Sequence, residues 1–239
     1  MTQSTGTMKT AVLITGQMRT FDLCWRNQYW MVYRKLEEPE FFVSVEENAD
    51  AEKWKLLLER FAPEQVHFEA GTPPELPEVA HALTLHGGYQ PSAPQRNVWR
   101  QLWHLNRGWE FYRSIVKPEN DPKNFLRIRP DLWFHEFQIT QSSSEECWTP
   151  WWSRWGGIND RVAWMGPKAA EVYFTAFKIL IQLIDAGAPC HSESMFAANL
   201  EHGRIQSIPM LKAWFSTVRP NGQAIAPDPM VNDIVHCFL

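Results

Sequence analysis

Two arginines and an aspartate interrupt an otherwise apolar stretch, Phe125-Leu126-Arg127-Ile128-Arg129-Pro130-Asp131-Leu132-Trp133-Phe134. The run before Pro130 reads as a buried strand whose end is broken by the proline and delivers a carboxylate. Arg127 and Arg129 are two residues apart, so a strand places both on one face. Charges at the end of a core strand are costly unless something anionic or metallic uses them. The arginines suit a diphosphate. Asp131 suits a divalent cation, as a hard oxygen ligand. The same three residues would also serve as a structural Arg–Asp pair closing a strand end.

Further candidates lie elsewhere along the chain. Gly16-Gln17-Met18-Arg19-Thr20 follows an apolar run. A glycine there lets a ligand approach the backbone, the next helix N-terminus favours a phosphate, and Arg19 can pair with it. An ordinary turn with a surface arginine has the same residues, and neither GxGxxG nor a P-loop is present. In Trp155-Gly156-Gly157-Ile158-Asn159-Asp160-Arg161 a Gly-Gly turn precedes an acid. Asp160 there is placed to act as a general base or to bind acceptor hydroxyls. A Gly-Asn-Asp turn made for backbone reasons looks identical. Glu193, after His191-Ser192, is either a first-turn acid favoured by the helix dipole or a base. His236 is a late histidine able to complete a metal site, although a lone histidine is more often structural or exposed.

These residues need a scaffold that brings them together. Residues 11–15 read as a first buried strand, and Thr20 as the N-cap of a helix running to about residue 35. A second strand over 41–45, a helix capped by Asn48 and a third strand over 66–68 follow. Strands alternating with helices predict a parallel sheet with helices on both faces. Ligands in such sheets lie at the carboxyl ends of the strands, so the loops after Thr15, Val45 and Arg129 are expected to converge. Residues 71–94 hold prolines and a Gly-Gly pair and read as a loop, placed to cover the site. A helix spans Trp99 to Val116 by its 3.6 period, and 138–155 shows little periodicity. A strand over 162–165 precedes a long helix from Pro167 to about Gly187, a shorter one over 192–201, and strands over 204–208 and 214–218. The expected fold class is α/β: a Rossmann-type, mostly parallel central sheet flanked by helices. One domain is expected over 11–239, after a disordered lead over 1–10.

Composition narrows the partners. The net charge of −4, from 23 basic and 27 acidic residues, disfavours a dedicated duplex-DNA binder without excluding nucleic acid. No apolar run reaches the length of a membrane span, and the N-terminal residues lack the apolar region of a secretory signal. Cys24, Cys147, Cys190 and Cys237 form no CxxC pair, which suits reduced thiols in a cytoplasm. The 13 tryptophans read either as core or as a groove in which Trp99, Trp152 and Trp164 stack on sugars.

Three ordered segments carry a resemblance: 12–21 (VLITGQMRTF), 127–132 (RIRPDL) and 157–161 (GINDR). Together they resemble bacterial and phage glycosyltransferase-like proteins similar to nucleotide-sugar transferases of the GT-A fold. The resemblance implies a nucleotide-sugar donor and a carbohydrate or modified-base acceptor. It places Gly16, Gln17 and Arg19 near nucleotide or phosphate. Asp131 matches the last acid of the family's Asp-x-Asp element, which implies Mn or Mg, and Arg129 stands where the first acid would be. Trp155, Gly156 and Gly157 through Asp160 look like the Trp-Gly-Gly-acid segment of some inverting galactosyltransferases, which implies a base at Asp160. The competing expectations are a phage enzyme acting on a hydroxymethylated DNA base and a non-catalytic nucleotide-sugar-binding module.

Overall fold

The first apolar run forms a strand with both faces covered. In the computed structural model β1 spans Thr10–Gly16, with Ala11 and Leu13 in one hydrophobic cluster and Val12 and Ile14 in another. Such continuous burial is what a central parallel strand requires. The structure describes residues 10–18, 20–48, 51–60, 66–75, 94–139, 142–186 and 191–225. Arg19, His236 and all but one residue of the expected lead lie outside them, as do residues 76–93 of the proline-rich loop; Thr10 already belongs to β1.

The opening βαβαβ unit forms as expected. It comprises β1, α1 (Phe21–Met31), β2 (Pro39–Glu46), α2 (Ala51–Glu59) and β3 (Val66–Gly71). The long amphipathic segment becomes α3 (Pro94–Ile115) and is followed by β4 (Asn124–Ile128). Next come β5 (Leu132–Phe137), β6 (Glu146–Pro150), β7 (Val162–Met165), α4 (Pro167–Phe174), α5 (Leu180–Asp185) and α6 (Ser192–His202). The last described elements are β8 (Gln206–Met210), β9 (Ala213–Val218) and β10 (Ala224–Ile225).

A seven-stranded sheet has the order β3-β2-β1-β4-β7-β6-β8. Pairing is parallel except where β7 runs antiparallel to β4 and β6. The mostly parallel α/β class read from the sequence is therefore borne out. One face carries α3 to α6, and the other carries α1, α2 and a small sheet of order β10-β9-β5.

The strand expected before Pro130 is β4, and Arg129-Pro130-Asp131 crosses from it in the large sheet to β5 in the small one. Several local expectations change. Thr20 makes no side-chain cap; its hydroxyl instead donates to the carbonyl of Val218 in β9 at 3.1 Å. The first helix ends at Met31 and tightens into a 3-10 turn over Tyr33–Lys35. The helix expected from Pro167 to Gly187 breaks at Thr175, whose hydroxyl turns back to the carbonyl of Glu171 at 2.7 Å. A 3-10 turn over Ala176–Ile179 then brings Phe177 against Trp99, ring centroids 4.6 Å apart. Strand β6 falls within 138–155, where no strand is predicted. Its buried positions include Thr149 and Pro150, which dilute the apolar signal. The small sheet was not foreseen as a separate layer.

Gly108 sets how closely α3 lies on the sheet. A Cβ there would come 2.6 Å from Cγ2 of Thr15 and 3.5 Å from Cβ of Ser44. Alanine in a helix interior is ordinarily about 1 kcal/mol better than glycine. Here the overlap wins, because Thr15 is buried at the end of β1. Gly108→Ala is expected to destabilise the protein by about 1–2 kcal/mol, as overpacking does. Urea unfolding monitored by circular dichroism measures it.

Candidate functional site

The carboxyl ends of β1, β2 and β4 meet α3 around a cavity of about 290 Å³. Strand ends contribute Thr15, Gly16, Gln17, Glu46, Arg127, Arg129, Pro130 and Asp131; α3 contributes Asn97, Arg100, Gln101 and His104; Arg219 follows β9. The loops after Thr15, Val45 and Arg129 thus converge, as their place in an α/β sheet requires. The wall carries four arginines against two carboxylates, Glu46 and Asp131, which makes it a receptor for an anion.

Arg127 lies at the centre of this wall. Its strand is buried along its length, and the residue itself is 2% exposed. Nε and Nη1 of its guanidinium have no hydrogen-bond partner among the described residues. Burial pushes its pKa down, opposed by the charges of Tyr173 and Asp160. Arg129, two residues further on and just past the end of β4, is satisfied: Nε donates to Oδ1 of Asp131 at 3.0 Å and Nη2 to Oδ2 at 2.6 Å. Burial opposes its charge, but Asp131 holds its pKa above the ordinary value. The structural ion pair anticipated at this strand end is therefore formed, and it faces the cavity.

The crossing that carries Arg129 and Asp131 is fastened from α1. The buried Gln28 side chain directs Nε2 at the carbonyls of Arg129, Pro130 and Leu132, at 3.2, 3.1 and 2.9 Å. Its own Oε1 accepts from the Tyr33 hydroxyl at 2.7 Å. Asn27 holds Phe134 by both backbone groups, and the Val218 amide donates to the Asp131 carbonyl at 2.8 Å.

The α3 wall and Glu46 were missed in the sequence. Asn97, Arg100, Gln101 and His104 recur every three or four residues, which marks one helix face. Gln17 donates to Oε2 of Glu46 at 2.6 Å, and Arg100 lies 3.4 Å from Oε1. His104 is 2% exposed, and neither ring nitrogen has a hydrogen-bond partner among the described residues. Burial pushes its pKa down to about 4, with Glu46 opposing and Arg100 reinforcing.

Behind the cavity wall sit the two acids nominated as bases. Asp160 is 2% exposed and takes a 2.5 Å hydrogen bond from Gln101 on Oδ2, while Oδ1 has no hydrogen-bond partner among the described residues. Burial raises its pKa, but Arg161, Arg129 and Arg127 outweigh burial and hold it below the usual carboxylate range. Glu193, in the first turn of α6, accepts from Ser192 at 2.7 Å and lies 3.9 Å from Arg161. Burial, then the charge of Asp160, pushes it up to about 7. Trp155, Gly156 and Gly157 form the turn beside it rather than the cavity wall: Gly157 presses on the Glu193 backbone, and the Ile158 amide donates to the Glu193 carbonyl at 3.1 Å. Trp155 is 40% exposed.

Of the two readings of the tryptophans, the core one holds for Trp152 and Trp164. Trp152 and Trp164 are buried in the core, and Trp152 stacks on Trp214 while donating to the Ala213 carbonyl at 2.8 Å. Trp99 is partly buried against Phe177. Of the two residues expected to hold a divalent cation, His236 lies outside the described residues and Asp131 is paired with Arg129. Among the described residues no three His, Cys, Asp or Glu side chains converge, and both Asp131 oxygens accept from Arg129. No described helix is long and apolar enough to cross a membrane.

The chain matches no family model and no curated protein sequence. Among solved structures it is similar to the glycosyltransferase GlyE of Streptococcus pneumoniae TIGR4, with a TM-score of 0.46 and 10% identity. That alignment covers 86% of this chain and 45% of GlyE, so the chain spans under half of that protein. It is similar to the galactosyltransferase LgtC, with a TM-score of 0.46 and 10% identity over 82% of this chain and 70% of that one. Mouse xyloside xylosyltransferase 1 aligns with a TM-score of 0.44 and 8% identity, covering 84% of each chain.

The position of Glu193 has a consequence for pH. Its pKa rises from 4.5 to about 7 on folding, so the stability it contributes is fully present below 4.5 and is lost as pH rises towards 7. Glu193→Gln carries no such dependence. Its melting temperature relative to the native protein is expected to rise between about pH 4.5 and pH 7 and to level off above. Calorimetric melts across that range measure the difference.

Proposed function

We propose that the chain transfers a glycosyl group from a nucleoside diphosphate sugar to a hydroxyl of a carbohydrate acceptor. The observation that carries this reading is Arg127: a fully desolvated cation in the wall of an open cavity, with two guanidinium nitrogens unpartnered among the described residues. Leaving a buried charged group unsatisfied costs several kcal/mol or so, and an anionic ligand removes that cost. Arg129, Arg100 and Arg219 surround the same space, which suits two adjacent phosphates better than one carboxylate.

The chemistry follows from that grip. The acceptor oxygen attacks the anomeric carbon, the bond from that carbon to the diphosphate oxygen breaks, and its electron pair leaves with the diphosphate. Preorganised cations stabilise the charge that develops there, the usual large term in such transfers. The hydroxyl proton passes to solvent in the open cavity, because Asp160 and Glu193 both lie behind its wall. Guanidinium groups supply the neutralisation that a divalent cation supplies elsewhere, so the reading derives no step through a metal.

Thermal shift with a panel of nucleoside diphosphate sugars tests the reading, each run with and without EDTA. A cognate donor at about 100 times its dissociation constant is expected to stabilise the protein by roughly 2.7 kcal/mol, with EDTA making no difference. Arg100→Ala and Arg219→Ala, on the cavity rim, should each weaken donor binding about tenfold or more. Absence of any shift across the panel would overturn the reading. Donor binding without transfer or hydrolysis would leave a binding module in its place.

A further inference from the structure

We propose that the protein has a second ligand site, apart from the anion cavity, which takes a small arylalkanoic acid: the ring enters an aromatic cavity and the carboxylate meets Arg34 at its mouth. The cavity, of about 200 Å³, lies between α1 and α2 over the β2–β3 edge of the large sheet. It shares no described lining residue with the anion cavity, and the inference does not depend on the diphosphate reading.

The walls select a ring. Phe21, Trp25 and Tyr29 of α1, Tyr33 of the 3-10 turn and Phe41 of β2 all face the space, and Val66 at the start of β3 is among the aliphatic residues that complete it. Two of these rings are held by contacts that keep the space from collapsing. The Tyr33 hydroxyl donates to Gln28 at 2.7 Å, and its ring meets Phe41 edge to face at 5.1 Å. Phe21 rests edge to face on Trp54 at 6.0 Å. An apolar cavity of roughly 150 Å³ stays dry and takes up benzene, so this one has room for a ring with a short alkyl chain. Aromatic pairs favour edge-to-face and offset contacts, and walls made of several rings offer both.

The mouth selects the charge. Arg34 is the one charged side chain among the described residues that line the cavity. It is exposed, and its guanidinium carbon lies 4.7 Å from the centre of the Trp30 ring, itself 56% exposed. Among the described residues no carboxylate pairs with it. A guanidinium stacked on an indole keeps its N–H edge free, and that planar fork matches one carboxylate. An apolar interior with a single cation at the entrance therefore fits a ligand that is a ring at one end and a monoanion at the other.

Titration calorimetry with 3-phenylpropionate tests the inference, with 3-phenylpropanamide and propionate as the arms lacking the charge and the ring. Binding in the millimolar range or tighter is expected for 3-phenylpropionate, and about tenfold weaker binding for each of the other two. Propionate binding as well as 3-phenylpropionate would place the carboxylate among the arginines of the anion cavity and overturn the inference. Arg34→Gln should reduce 3-phenylpropionate binding about tenfold, to the level of the amide. Val66→Phe, which puts a ring of the protein's own into the space, should abolish it. Native affinity in either variant overturns the inference, as does the absence of binding to the native protein. Arg34 is exposed, so Arg34→Gln decides even if Val66→Phe fails to fold.

Discussion

A guanidinium without water governs this molecule. Arg127 sits on β4, between β1 and β7 in the large sheet, where an apolar residue would be the inexpensive choice. Removing such a charge from solvent is costly, and the cost must be offset by opposite charge, by hydrogen bonds or by a ligand. The surroundings follow from that need. The charge of Asp160 favours the charged form of Arg127, and Gln101 holds Asp160 from α3. Once Asp160 is ionised, a second buried acid close by cannot easily be, and Glu193 keeps its proton to near neutral pH. Three arginines thus hold Asp160 ionised, and burial with the charge of Asp160 keeps the proton on Glu193.

The Arg129–Asp131 pair shows why asking whether a motif is structural or functional can be the wrong division. The pair closes the end of β4, as an ordinary ion pair would. It also lines the cavity. By holding both oxygens of Asp131, Arg129 leaves that carboxylate satisfied, and its own planar fork is held rigid at the cavity wall. The role is shared because the crossing between sheets and the mouth of the site are the same three residues.

Much of this was legible from residues. The alternation and spacing over 11–68 gave the βαβαβ unit, because each element there buries a face in its own period. Arg127, Arg129 and Asp131 stood out because charges in an apolar run need a reason. What stayed hidden depended on distant chain. The crossing into the small sheet requires β9 to receive β5, and nothing near residue 131 announces that partner. Strand β6 was obscured by Thr149 and Pro150. The helical face of Arg100, Gln101 and His104 was present in the spacing but overshadowed by the tryptophans of the same segment. The tryptophans could be read as core or groove, since an indole N–H satisfied inside the core, as in Trp152, looks no different in sequence from one awaiting a ligand.

The fastening of the crossing has its own arithmetic. A side-chain amide carries two hydrogens, and Gln28 directs them at three carbonyls. At any instant one acceptor shares or goes without. Tyr33 keeps the amide's oxygen anchored. The stretch bearing Arg129 and Asp131 is held by a clasp with more catches than hooks, so that losing any one catch leaves both hooks engaged.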